Sequence, residues 1–245
     1  VTIRLHTFGE AWGLADPSPF CLKLESFLRE AGIAYVRVPF DPWRSFRRAP
    51  KGKLPFIEAE DGVPIGDSTL IIDRLSAERG IDLDQRLDPG QRAVSHAFRR
   101  MLDEHFYWVG VYARWCDEPG WSVVRANFFR RMPALVGPVA ERIGQRRVRR
   151  ALQSQGIGRH RPDEIYALGR ADLESLARLL GDDPWFFAQP RPTLLDLWAH
   201  AFVAETVWPP IASPLKAAAL ALPNLAAHAT RLQARLYPAL PAQPA

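Results

Sequence analysis

Pro55 falls where a strand should begin. The string Gly52-Lys53-Leu54-Pro55 runs directly into Phe56-Ile57-Glu58-Ala59, and a turn, Glu60-Asp61-Gly62, separates that run from Val63-Pro64-Ile65. Proline lacks an N–H and fixes φ, so it tolerates only the start, the edge or a bulge of a strand. If the Leu54–Pro55 bond is cis, the chain turns sharply and leaves the Leu54 main chain open to the backbone of a small peptide. Just beyond the hairpin, Gly66-Asp67-Ser68 opens a helix, where a carboxylate, a hydroxyl and unpaired N–H groups meet. The two strings together describe a site for a small peptide carrying an amino group and carboxylates.

The surrounding pattern says what holds that site. Ile3 to Phe8 alternates with period two and predicts a strand, Ser18 to Ala31 a helix stopped by Gly32, and Ala34 to Val38 a second strand. Asp41 to Arg48 predicts a short irregular helix, Phe56–Ala59 and Val63–Ile65 a hairpin, and Asp67 to Arg79 a helix stopped by Gly80. The order β-α-β-α-β-β-α is a thioredoxin-like α/β layout, with one sheet between helices. After Gly80 no strand pattern returns. Residues 1–80 therefore read as one α/β domain, 81–88 as a polar linker and 89–245 as an all-helical domain. Asp88-Pro89 looks like a helix start, and apolar residues recur at helical spacing from Gln91 to Trp115. Further helices are expected at Val123–Arg131, Pro138–Leu152, Asp163–Leu180, Thr193–Val207, Pro214–Leu222 and Asn224–Tyr237, before a frayed Pro- and Ala-rich tail.

Composition narrows the function classes. With 47% hydrophobic and 24% charged residues the chain has globular composition, and no apolar run reaches the roughly 20 residues needed to span a bilayer. The N-terminal Val1-Thr2-Ile3-Arg4-Leu5 lacks the regions of a signal peptide, and only two cysteines, Cys21 and Cys116, are present. A cytoplasmic protein without disulfides or integral membrane association is the expectation. The net charge is +5, and ten arginines against one acid, Glu141, lie between Arg125 and Arg161. A solvated helix face explains that run, and a docking surface for an acidic partner or anionic lipid is the alternative. No nucleic-acid reading motif stands beside it. No metal-ligand spacing is visible, so no metal is expected, and Gly52-Lys53 lacks the flanking residues of a phosphate loop.

The junction Pro17-Ser18-Pro19-Phe20-Cys21 is the candidate for chemistry. Ser18 fits an N-cap, Pro19 the first helical position, and Cys21 the third. A thiolate there, whether Cys21 or one brought by a ligand, would be stabilised by the helix dipole. A plain helix cap, worth on the order of 1 kcal/mol, accounts for Ser18 equally well. For Cys21 the plain reading is a small apolar residue packed under the helix.

These residues carry a resemblance. The strings from Ser18 to Glu25 and from Pro50 to Pro55, with Gly66-Asp67-Ser68 and Ile71-Ile72, resemble the glutathione transferase superfamily over roughly residues 1–235. Ala11-Trp12-Gly13-Leu14 and Glu104-His105-Phe106-Tyr107-Trp108 look most like its failed-axon-connections and metaxin-like branch. The resemblance implies the glutathione transferase fold, a homodimer, and reduced glutathione as co-substrate for attack on a small electrophile. It implies that Leu54, before a cis-Pro55, pairs with the cysteinyl backbone of glutathione. Asp67 and Ser68 would then hold the γ-glutamyl end, and Lys53, with Lys51 near it, would meet the glycyl carboxylate. Ser18 stands where some classes carry a catalytic Cys, which argues against thiol-transfer chemistry and leaves a hydroxyl that donates to the glutathione sulfur. The metaxin-like branch also implies a second possibility, a non-catalytic scaffold that keeps the fold.

In the helical part, Thr193-Leu194-Leu195-Asp196 is a capping-box pattern, structural rather than catalytic. The aromatic residues Phe106, Trp108 and Trp121 read as core, whereas Tyr107, Tyr112 and Trp115 are the candidates for an electrophile pocket. His105 lies on the same stripe and reads as a hydrogen-bonded core residue.

Overall fold

The computed structural model describes residues 2–41, 44–59, 62–129, 132–133 and 136–241. The expected turn residues Glu60 and Asp61 lie outside the described residues. So do Pro42 and Trp43 of one expected helix, Arg130 and Arg131 of another, and 242–245 of the tail.

The first part is a four-stranded mixed sheet. Strands β1 (Ile3–His6), β2 (Tyr35–Val38), β3 (Phe56–Glu58) and β4 (Pro64–Gly66) lie in the order β2-β1-β3-β4. β1 runs parallel to β2 and antiparallel to β3, and β3 pairs antiparallel with β4. Leu5 sits opposite Arg37 on one side and Ile57 on the other, which puts the fully buried Leu5 and Ile57 side by side in the same core as Leu22, Phe27 and Leu28 of α1 (Pro19–Glu30). Pro55 stands one residue before β3, where its missing N–H breaks no ladder bond. Helices α2 (Arg44–Arg48) and α3 (Ser68–Arg79) complete this α/β half, whose order is the predicted β-α-β-α-β-β-α.

Among the described residues no strand follows Gly66. The rest is helical: α4 (Pro89–Met101), α5 (Tyr107–Trp115), α6 (Glu118–Val124), α7 (Gly137–Gln155), α8 (Pro162–Leu180), α9 (Leu194–Val207), α10 (Pro214–Leu220) and α11 (Pro223–Leu236). α9 is buried on nearly every side, as its all-round apolar sequence requires, and packs against both α1 and α11. Its start is fixed by Asp196, whose Oδ2 accepts the Thr193 N–H (2.7 Å) and hydroxyl (2.7 Å) while Oδ1 accepts the Phe186 N–H (3.0 Å).

Two expectations needed correction. The helix foreseen without interruption from Gln91 to Trp115 contains a π-helical turn, Leu102–Phe106, between α4 and α5. The helix foreseen from Val123 begins earlier, at Glu118, and passes into a second π-helical turn, Arg125–Phe129.

Candidate functional site

The loop between β1 and α1 carries the first half of the site. Ala11 and Leu14 pair across a tight turn in which Trp12 (φ 54°) and Gly13 (φ 76°) both adopt positive φ. A Cβ on Gly13 would also meet Pro241 at 2.9 Å. Asp16, fully buried, accepts the N–H groups of Phe8 (2.8 Å), Gly9 (3.0 Å) and Ser18 (2.9 Å). The bond to Ser18 is an Asx turn, and it sets the Ser18 backbone in the extended conformation (φ −113°, ψ 124°) from which α1 starts. From the helical half, Arg114 donates to the Pro17 carbonyl (2.8 Å) and to the Glu205 carboxylate, clamping the same loop from outside. The Ser18 hydroxyl makes no cap bond to α1. Helix capping therefore does not account for this side chain.

The second half lies across the sheet edge. The Leu54–Pro55 bond is cis. Asp67 caps α3 by accepting the N–H groups of Thr69 (3.0 Å) and Leu70 (3.3 Å). It does so at φ 87°, a conformation that L-residues rarely adopt and that concentrates at functional positions. Lys51 Nζ stands 3.7 Å from its other oxygen. A cleft of about 400 Å³ brings together Ser18, Lys51, Lys53, Leu54, Pro55, Asp67 and Ser68. All five residues foreseen for the glutathione site line it, and Ser18 shares it.

The far wall of this cleft comes from the helical half and was not foreseen. Arg100, Asp103, Glu104 and Trp108 line it, the middle pair from the π-helical turn. Asp103 is held by the buried Lys23 Nζ (2.6 Å) and by the Trp198 indole N–H (3.0 Å). Burial pulls the Lys23 pKa down to about 8 despite that carboxylate. His105, in the same turn, bonds Asp172 of α8 (2.6 Å), as a structural histidine would.

A second, mostly apolar cavity of about 640 Å³ opens beside the first, and Phe8, Ser18, Phe46 and Tyr107 border both. Trp12, Phe40, Trp115, Phe128, Phe129 and Met132 supply much of its wall. Arg114 and Glu205 form its charged end, where burial pushes the Glu205 carboxyl up to about 7. Desolvation raises the pKa of the half-buried Tyr107 hydroxyl, which stays a neutral donor. Of the aromatic candidates, Tyr107 and Trp115 line this cavity. Tyr112 does not: its ring meets Tyr166 edge-on at 5.8 Å. Cys21 lines neither space. It is fully buried with Ala49, Leu54 and Phe56, and desolvation pushes its thiol well up, so it stays protonated. Among the described residues no group of three His, Cys, Asp or Glu could hold a metal ion.

Sheet, cis-proline and helical half define a class before any comparison: a thioredoxin-like domain joined to a helical one, with a polar cleft and an apolar cavity that meet at Ser18 and Tyr107. Family models for the N-terminal and C-terminal domains of glutathione S-transferase match residues 19–120 and 169–232. The chain is 34% identical over 188 residues to isoprene-epoxide–glutathione S-transferase of Rhodococcus sp. (strain AD45), covering 75% of this chain and 78% of that one. It is also 34% identical over 248 residues to failed axon connections of Drosophila melanogaster, covering 96% of this chain and 58% of that one. With human metaxin-2 it shares 26% identity over 161 residues, 64% of this chain and 60% of that one. The chain belongs to the glutathione S-transferase superfamily, alongside the failed-axon-connections and metaxin-like branch. Among solved structures its fold matches the beta-etherase LigF of Sphingobium sp. strain SYK-6, with a TM-score of 0.65 at 19% identity over 96% of both chains. It also matches a Methylobacterium radiotolerans glutathione S-transferase in complex with glutathione sulfonate, with a TM-score of 0.58 at 24% identity, covering 96% and 92%.

Proposed function

We propose that the protein binds reduced glutathione in the polar cleft and activates its thiol for attack on a small apolar electrophile held in the adjoining cavity. The observation that carries this reading is Ser18. Its hydroxyl is spared from capping α1, and it stands where the two spaces meet.

In this reading the γ-glutamyl end lies at Asp67 and Ser68, the cysteinyl backbone pairs with Leu54, and Lys53 with Lys51 faces the glycyl carboxylate. The sulfur then falls beside Ser18 at the N-terminus of α1. There the hydroxyl donates to the thiolate and the free N–H groups of the first turn favour negative charge. The thiol proton leaves to solvent, the sulfur attacks the electrophilic carbon, and one bond from that carbon to its leaving atom breaks. With an epoxide, the class named for the Rhodococcus relative, the bond broken is C–O. In this reading the new alkoxide takes a proton from the hydroxyl of Tyr107, which lines the cavity, and the phenolate regains one from solvent. Catalysis assigned to Ser18 needs no part from Cys21.

Retention on immobilised glutathione and a raised melting temperature at millimolar glutathione are the expected results; absence of both would end this reading. Ser18→Ala should lower turnover of a small epoxide on the order of 10², the size of one lost transition-state donor, while glutathione affinity stays within a few-fold. The similarity to failed axon connections and metaxin-2 favours a second reading, a scaffold that keeps the fold. Glutathione binding with no turnover of any electrophile tried would select it.

A further inference from the structure

Helix α7 (Gly137–Gln155) has one face that is exposed along its length. Its inner face is tied down by the buried Leu152, by Val148 against the core, and by Gln145 Nε2 donating to the Trp115 carbonyl (3.0 Å). The opposite face follows three- and four-residue spacing through Val136, Val139, Ile143, Arg146, Arg147 and Arg150. Its first half is apolar: Val136, Val139 and Ile143 are 41%, 59% and 49% exposed. Its second half is basic and exposed, and among the described residues Arg146, Arg147 and Arg150 have no acidic partner. The one acid of the helix, Glu141, is turned aside to Arg125 at 3.8 Å.

We propose that this face is a docking site for an anionic lipid surface. Three apolar side chains at one end would enter the boundary between headgroups and acyl chains, and the arginines would meet lipid phosphates and carboxylates. Two properties of the face select this occupant. A second copy of the same face is repelled, because it brings the same unpaired arginines. A purely ionic partner, such as an acidic peptide or a nucleic acid, leaves Val139 and Ile143 without use. Among the described residues no helix is long and apolar enough to cross a membrane, and the proposed contact is one with the membrane surface. The proposal does not depend on glutathione chemistry.

The test is co-sedimentation of the full chain with phosphatidylcholine vesicles, with and without phosphatidylserine. Two variants on exposed residues, Arg146→Glu/Arg147→Glu/Arg150→Glu and Val139→Asp/Ile143→Asp, are compared after circular dichroism shows wild-type folding. The expected result is pelleting with the anionic vesicles alone, weakened by salt, and at least tenfold weaker in each variant. Pelleting that is absent, equal with neutral vesicles, or unchanged in either variant overturns the proposal. So does tight binding of polyglutamate or RNA that survives Val139→Asp/Ile143→Asp, because the face would then be a purely ionic one.

Discussion

Asp16 sets the position of the Ser18 main chain. Three main-chain N–H groups converge on its carboxyl, yet burial prevails and pushes its pKa up to about 8. The folded protein thus keeps a proton that the unfolded chain loses near 3.8, and stability falls as pH rises between those values. His200, pulled down to about 3 by burial, acts in the opposite sense, but only below 6.5. Lys23, pulled down to about 8, opposes it only above that value. Glu205, pushed up to about 7, works with Asp16 in the lower part of the remaining window. Between pH 6.5 and 8, urea titrations should show unfolding free energy falling by up to about 1.4 kcal/mol per pH unit from Asp16 alone, and more steeply below pH 7 where Glu205 adds to it. Asp16→Asn should flatten that slope. A wild-type stability that is level or rising across the window would contradict this assignment. Nothing in the spacing of Asp16-Pro17-Ser18 announced so central a role, though an Asp two residues before a helix start is the signature of an Asx turn.

At the level of elements, close helix contacts shape the apolar cavity. α6 approaches α5 so tightly that a Cβ on Gly120 would lie 1.9 Å from the Ala113 carbonyl oxygen. Gly120→Ala should therefore push α6 outward and destabilise the protein by roughly 3 kcal/mol, read as a lowered denaturation midpoint. It should also disturb Trp121, which packs 5.5 Å from the cavity residue Trp115. An unshifted midpoint would show that the two helices are looser than described. Helix starts and stops were legible because their chemistry is local: Pro19, Pro89, Pro162, Pro214 and Pro223 stand in first turns, and Gly80 ends α3 at φ 64°. The start of α6 was not, because Pro119-Gly120 is a turn signal that here sits in the first turn, where proline needs no N–H. The π-helical turns were hidden as well. Phe98, Met101, His105 and Trp108 keep an unbroken helical spacing across one of them, so periodicity cannot register the extra residue that carries Asp103 and Glu104 to the cleft.

Across the whole molecule, one buried ionic network joins the α/β half to the helical half. Lys23 of α1 bonds Asp103 at 2.6 Å and lies 4.2 Å over the ring of Trp198 on α9. Lys23→Met would strand the Asp103 carboxylate and should cost about 3–5 kcal/mol, whereas Lys23→Met with Asp103→Leu should recover most of that loss. Calorimetry can compare the two; equal destabilisation would mean that the ion pair does not couple the halves. The same junction closes the far wall of the polar cleft, so the site exists only when both halves are folded together. That cleft was legible from Leu54-Pro55 and Asp67-Ser68, but its far wall was not, since it depends on which helices dock there. On the proposed function, Ser18 stabilises the thiolate of glutathione bound in this cleft. This is tested most directly by the ultraviolet difference spectrum of bound glutathione at neutral pH, wild type against Ser18→Ala. A thiolate band in the wild type that vanishes in a variant still binding glutathione is the predicted result. Bound glutathione that stays a thiol in the wild type, or a thiolate band undiminished in the variant, would contradict it.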